Sequence, residues 1–410
     1  MVALVFWSNN RPVSVAIPTE VMPRPNGYDD LVRAGAMAKA VRHKSPYSMA
    51  QPDYTYGGFE AAARDAQPAL ALMRQALAKE YRCPPVRSYG AKGPFPAFAS
   101  FRELARTEMG VATYYEMSGR PAQATEARLD GLELGLTVPR GGSLIAGLVG
   151  IACEAIALSQ IEPQLPLLSE RELAHVAERL ADISARRVSL ADILQEEGYS
   201  DAASEVEIVN DPKGRGSFDA IRGLLEENDP TMFTTGKKKP INLKQNWEVL
   251  QFLLADKAAI VRDNMAYSRA LVAEARKPFG RRIAPRLPNN LLARLRGDIA
   301  EQAGSKFAGM EAAVAIVRAE VALLRYKKAH GRYPETLSSL TPAYLGPADI
   351  IDPCGGAPLK YRPLNGGKDI LLYSIGTDLK DDGGAPSRYV GVGTGDIVAG
   401  RMWIRRAFKK

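Results

Sequence analysis

The sequence has few of the residues that most often carry chemistry. Among its 410 residues are three cysteines, Cys83, Cys153 and Cys354, and three histidines, His43, His175 and His330. An odd number of widely spaced cysteines builds neither a disulfide framework nor a paired metal site, and nothing in the spacing places a single bridge. So few histidines argue against a zinc enzyme and against a histidine-based triad. Long apolar runs are missing too. The segment from Ser143 to Leu158 is nearly all apolar, but it contains Glu154 and falls short of the roughly 20 residues of a membrane span. The burst Val2 to Trp7 is shorter still, and no basic segment precedes it as one would precede a signal peptide's apolar region. It reads as the stub of an anchor begun upstream, or else as a short buried strand or tail. No G-x-S-x-G elbow, H-E-x-x-H helix or Walker A loop occurs. Gly391-Val392-Gly393-Thr394-Gly395 looks like a glycine fingerprint. No helical pattern follows it, so it belongs to a loop leading to Asp396.

What is present is ordinary for a globular chain. The 46% hydrophobic and 24% charged content, over this length, supports two or three domains with cores of their own. The net charge of +8 is densest at Lys237–Lys239 and Lys244, between Arg276 and Arg286, and in the tail Arg405, Arg406, Lys409 and Lys410. With no zinc-finger or RNA-recognition motif beside them, these runs read as solvated surface, and no nucleic-acid partner is expected.

Three regions follow. Residues 1–26 are a Pro-rich linker or anchor stub. Residues 27–288 read as an all-α domain of helical hairpins, interrupted by a polar, irregular insertion at about 197–244. Residues 289–410 read as an α+β domain, one long helix followed by a small antiparallel sheet. In the first helical stretch Phe98, Phe101, Ala105, Ala112 and Tyr115 share a face, Gly119 ends the helix, and Pro121 suits the first turn of the next. Ser169 and Glu172 form a capping box ahead of Leu173, Val176, Leu180 and Ile183. Trp247, Leu250, Leu254, Ala258 and Val261 mark a further amphipathic pattern. Gly147 and Gly150 predict a close helix–helix approach, with Glu154 either functional or paired to an arginine. Ala112, Tyr115, Gly119, Ala124 and Gly131 resemble one tetratricopeptide unit, although Arg128 stands where a bulky apolar residue is usual and no repeat at about 34 residues follows. The pairs Glu196–Glu197 and Glu226–Glu227 read as surface charge, since adjacent helical residues face different ways.

In the last region Phe307, Met310, Val314, Val317, Val321 and Leu324 form one apolar stripe, ending at His330-Gly331, where the histidine reads as a structural cap. Tyr326, Gly331, Tyr333, Pro334, Tyr344, Leu345, Asp352, Pro353, Gly355 and Tyr361 come next in order. Asp369, Ile370, Tyr373, Ser374, Gly376 and Asp378 follow, then Asp396, Ile397 and Trp403. This ordered series resembles the globular head of the major pseudopilin of type II secretion. The region before it more loosely resembles uncharacterised helical proteins of the bacterial envelope that carry such a module. Two departures stand out: the long helix begins mid-chain and bears Arg318, Glu320 and Arg325, and Cys354 replaces the family's Trp after D-P.

The resemblance implies a calcium site, with Asp378 and Asp396 as ligands and backbone carbonyls near Leu372 and Ser374–Ile375. The residues agree in kind, because Asp378, Asp381, Asp382 and Asp396 surround a Gly-rich loop and calcium takes six to eight oxygens. A solvated acidic turn would have the same composition. Taken together, these readings point to a non-enzymatic binding or assembly protein of the cell envelope, facing the periplasm. Its partner would be another protein, and membrane association would come through a truncated N-terminal anchor. The alternative is a helical hydrolase or lyase with an accessory pseudopilin-like module, which requires carboxylates and an arginine to converge in a groove.

Overall fold

The computed structural model describes residues 11–42, 56–86, 95–210, 243–296 and 299–402. The stretch Val2–Trp7, His43, Glu226–Glu227, the lysines 237–239, Trp403 and the basic tail lie outside the described residues.

Alanine- and leucine-rich segments build the helical region. Helices α1 (Gly27–Arg42), α2 (Tyr56–Leu77) and α3 (Phe95–Met117) bury Leu31, Leu70, Met73, Phe101 and Leu104 in a common core. Gly119 takes φ +68 and turns the chain, and Pro121 opens α4 (Pro121–Thr137) at the expected position. Helix α5 (Leu144–Leu158) then packs on α4 almost backbone to backbone. A Cβ on Gly150 would lie 2.6 Å from the Gly135 carbonyl oxygen, and one on Gly147 would lie 2.6 Å from Cζ of Phe307. The close approach expected at both glycines is therefore real.

Helix α6 (Glu170–Ala185) starts with the capping box, Ser169 and Glu172 each satisfying the other's backbone N–H, and buries Leu173, Val176, Leu180 and Ile183. Helix α7 runs from Leu190 to Asn210 without interruption. The irregular insertion expected from residue 197 is therefore helical through Asn210. The reason is that Ala202, Glu205 and Val209, sparse among polar neighbours, bury one face of α7, which packs on α9 (Lys257–Ala275).

The stripe Trp247–Leu250–Leu254–Ala258–Val261 is not one face. Helix α8 (Leu243–Leu254) buries Val249 and Phe252 instead and leaves Trp247, Leu250 and Leu254 exposed. The chain turns after Leu254. There Asp256 caps α9 by accepting from the N–H groups of Ala258 and Ala259, while the buried Lys257 ammonium donates to the carbonyls of Phe252, Leu253 and Ala255. A helical period cannot carry across such a break. The Pro-rich segment is also tied down: Val13 exchanges hydrogen bonds with the Asn210 side chain at 2.9 and 2.7 Å.

Asn290 caps a short α10 (Leu291–Arg296), and the long helix α11 spans Ile299–His330. Its middle is buried on all sides. Ala312, Ala313, Val314, Ile316, Val317, Ala319, Val321, Ala322 and Leu323 all belong to the largest core, together with Leu129 and Leu132 of α4, Leu158 of α5, Val176 and Leu180 of α6, and Leu372 and Ile397 of the sheet. The single stripe expected for α11 is thus replaced by a ring of small and branched residues, because the helix has neighbours on every side. The core also crosses the 288/289 boundary.

The sheet follows α11. Strands β1 (Lys360–Leu364), β2 (Asp369–Ser374) and β3 (Ile397–Val398) are antiparallel in the order β1-β2-β3, with Tyr361 opposite Leu372 and Tyr373 opposite Val398. The molecule is thus mostly helical with a small antiparallel sheet near its C-terminus. Among the described residues no helix is long and apolar enough to cross a membrane. All three cysteines are free and buried.

Candidate functional site

The acidic loop after β2 is where the sequence places its metal ligands. The structure brings Asp378 and Asp396 together through the backbone. Asp378 accepts from the N–H of Gly395 at 3.2 Å and from that of Lys380, and Asp396 accepts from Gly384 at 2.7 Å and Asp382 at 3.4 Å. Asp382 thus enters through its N–H. The carbonyl of Leu372 accepts from Ala399, and the N–H of Ile375 donates to Asp352. Asp381 turns away toward Lys360 and the Tyr373 hydroxyl, both at 3.0 Å. Burial pushes the Asp396 carboxyl above its usual range; the N–H donors oppose this, and the charges of Asp381 and Asp382 add to it.

Hard oxygen donors of this kind suit calcium. As arranged, they are held by backbone N–H groups, and among the described residues no three His, Cys, Asp or Glu side chains are grouped to hold a metal. A cation would have to draw Asp378, Asp382 and Asp396 toward one point. The glycine run serves a packing role: a Cβ on Gly309 of α11 would lie 2.3 Å from the Gly391 Cα, so the loop seats directly on the long helix.

Asp352 of the D-P-C-G turn holds the module together from within. It is buried, and it accepts from the Ser374 hydroxyl at 2.7 Å, the Cys354 N–H at 2.9 Å and the Ile375 N–H at 3.0 Å. The D-P-C-G turn therefore fastens to the end of β2. Cys354 packs inward with its thiol pushed up to about 12 by burial, which suits a packing residue and not a nucleophile. His330 stacks on Tyr326 at 4.0 Å and bonds the Tyr326 carbonyl, as a helix-end cap does.

A second concentration of charge lies in the helical hairpins. Arg74 of α2 reaches Glu108 of α3 at 2.9 Å and Asp130 of α4 at 2.5 Å. Arg179 of α6 engages Glu126, Asp130 and Glu133 of α4, and Arg186 continues to Glu133 and Asp182. Glu108 lies at the bottom, 1% exposed, with one carboxyl oxygen lacking a partner. Burial pushes it up to about 8, against the pull of Arg74 and with the push of Asp130. No motif announces this ladder, because its members come from four helices.

Four further charges resolve expectations. Glu154 pairs with both Nη atoms of Arg187, as the paired alternative required. Arg128 pairs with Glu116 of α3 and donates to the Ser159 carbonyl, which explains a cation in an apolar position. Glu196 and Glu197 do face different ways but are not surface charge: Glu196 pairs with Arg82, and Glu197 accepts the first N–H of α5 at 2.8 Å. At the seam between array and sheet, Glu320 of α11 faces Glu162. Its carboxyl is held well above the usual range, first by burial and then by the charge and hydrogen bond of Glu162, which in turn accepts from the Gly400 N–H at 2.6 Å.

No protein family, curated protein or solved structure matches this chain.

Proposed function

We propose that the chain is a non-enzymatic binding or assembly protein of the bacterial cell envelope whose C-terminal module is related to the type II secretion pseudopilins. The observation that supports this most is the treatment of α11. A long helix, then two antiparallel strands, an acidic loop and a third strand is the order the resemblance implies. The middle of that helix is wrapped by α5, α6 and the sheet of its own chain. A filament subunit needs its helix surface for neighbouring subunits, so this module docks or stabilises and does not polymerise. The helical hairpins bind a protein partner, and calcium, where present, orders the loop around Asp378, Asp382 and Asp396. Cell fractionation with in-cell crosslinking tests the reading. Recovery with the envelope and crosslinking to a discrete partner is expected, and a purely cytosolic, partner-free chain overturns it.

One observation favours a second reading, a helical hydrolase or lyase. Glu108 and Asp130 are two carboxyls in contact with one arginine, and burial pushes Glu108 up to about 8, as it does for a general acid. Against it, Glu108 is closed off from solvent and each arginine of the ladder is already bound by carboxylates. Turnover of an ester, amide or glycoside panel that Glu108→Gln abolishes would establish the second reading.

A further inference from the structure

Several covered arginines in this protein are met by carboxylates: Arg128 by Glu116, Arg179 by Glu126, Arg187 by Glu154, Arg318 by Asp349. Arg120, like Arg140 and Arg282, has no carboxylate partner among the described residues. It is half-buried in the turn between α3 and α4, where its guanidinium lies over the rings of Tyr115 at 4.6 Å and Tyr114 at 5.0 Å. Its Nε is covered and has no partner, and among the described residues no carboxylate pairs with it. Tyr114 is flanked by Tyr115 at 5.7 Å and by Tyr56 at 5.6 Å between ring centroids, and Tyr56 is 45% exposed. The hydroxyls at the rim are already fixed, Tyr56 to Ser118 and Tyr114 to Glu60, both at 3.2 Å. The start of α4 adds to the same sign of charge. Arg120 caps it with no side-chain hydrogen bond, Pro121 follows, and the first turn holds no acidic residue.

A guanidinium held over two aromatic rings has given up rotamer freedom before anything binds, and its planar fork suits a carboxylate. Tyrosine and arginine side by side are also the residues that dominate protein interfaces. We infer that Arg120 with Tyr56, Tyr114 and Tyr115 forms a docking surface for a carboxylate-bearing segment of a partner protein, with an apolar or aromatic side chain beside the carboxylate. This rests on the assembly reading and gives its partner a chemistry. A nucleic acid or an anionic lipid surface fits less well. Those polyanions recruit rows of cations, whereas here one unmatched cation sits beside an acidic rim at Glu60.

The test uses the full chain with nitrogen-labelled arginine and two acetylated, amidated tetrapeptides, Phe-Glu-Leu-Glu and Phe-Gln-Leu-Gln. The acidic peptide should shift the Arg120 Nε–H resonance saturably, and the glutamine peptide should not. Arg120→Gln should weaken binding about tenfold or more, Arg120→Lys less, and Tyr56→Ala several-fold. Tyr56→Ala removes an exposed ring, so it keeps the test valid should the Arg120 variants misfold. Equal binding of both peptides, unchanged affinity in Arg120→Gln, or a response only to a thymidine oligonucleotide or to anionic vesicles overturns the surface. If in-cell crosslinking gives the same discrete partner for the parent chain and for Arg120→Gln, this surface is wrong while the assembly reading stands. If neither chain crosslinks to anything, the assembly reading fails and the surface with it.

Discussion

The helical hairpins and the sheet module both bury carboxylates, and they satisfy them by different means. In the hairpins the partners are arginines: Glu154 has Arg187, Glu116 has Arg128, and Asp130 has Arg74 and Arg179. In the sheet module they are backbone N–H groups: Asp352, Asp378 and Asp396 accept from Cys354, Ile375, Lys380, Gly395, Asp382 and Gly384. The difference follows from the backbone. A helix spends its interior N–H groups on its own carbonyls, so a carboxylate buried between helices turns to side-chain donors, arginines above all, or, as Glu197 does, to the free N–H at a helix start. A glycine-rich loop has unspent N–H groups and can turn them inward. Buried charge in the array is therefore a matter of pairing, and in the loop a matter of local chain shape.

The largest effect should come from breaking a pair in the array. Arg187→Met leaves Glu154 buried beside the Gly135–Gly150 contact with no counter-charge. Removing one partner of a buried pair costs about 3–5 kcal/mol. Burial already holds Glu154 above its usual range, and losing Arg187 raises it further. Stability of the variant should therefore be best below the ordinary carboxylate pKa and fall as pH rises. Denaturant titrations at acid and neutral pH check this, and an equal deficit at both would remove the electrostatic explanation. Adding Glu154→Gln should recover most of the neutral-pH loss.

Glu108 sharpens the comparison, because its pairing is incomplete. Burial pushes its carboxyl up to about 8 in the folded state, above the ordinary carboxylate value of 4.5. The folded state thus binds more protons than the unfolded one between those values. Its stability is full below pH 4.5 and is lost as pH rises through about 8. Glu108→Gln, neutral at every pH, should flatten that fall by a few kcal/mol, on the order of two to three once Arg74's half-exposed position is allowed for. Melting temperatures measured across that range decide it, and parallel curves for the two chains would show that Glu108 does not titrate there.

Much of this was legible in the sequence where a local rule governs. The capping box at Ser169, the turn at Gly119-Pro121, the close glycines of α5 and strand β2 all depend on residues a few positions apart, and the structure bears them out. The misreadings share one cause. Periodicity reports that a helix is apolar on a face but not what lies opposite, so α11 read as striped when it is surrounded, and Trp247–Leu250–Leu254 read as inward when it is exposed. Polar composition hid the buried face of α7. The Arg74–Glu108–Asp130–Arg179 ladder draws on four helices far apart in sequence, and no spacing records it. Asp352 was nearer to view: it belongs to the D-P-x-G turn, and only its three hydrogen bonds reveal its role.

In the loop, Asp352→Ala should cost less than Arg187→Met, about 2–3 kcal/mol. It strands two N–H groups and one hydroxyl but no charge. Denaturant titration at neutral pH checks this, and a loss below about 1 kcal/mol would mean that these bonds do not fasten the turn to β2.

The smallest expected effect concerns calcium, and it tests the loop's side of the comparison most directly. Asp396 is buried, its carboxyl raised by burial and by the neighbouring Asp381 and Asp382 even though two N–H groups donate to it. Backbone donors alone therefore leave some repulsion unrelieved. A hard cation drawn in by Asp378, Asp382 and Asp396 would relieve it, and by linkage a ligand at a hundred times its Kd stabilises by about 2.7 kcal/mol. Millimolar calcium should raise the melting temperature of the parent chain by a few degrees and leave Asp396→Asn unmoved, with magnesium less effective because it demands tighter octahedral geometry. Calorimetry with no heat at millimolar calcium would mean that the loop's N–H groups suffice. The two regions would then differ only in where the neutralising partner comes from.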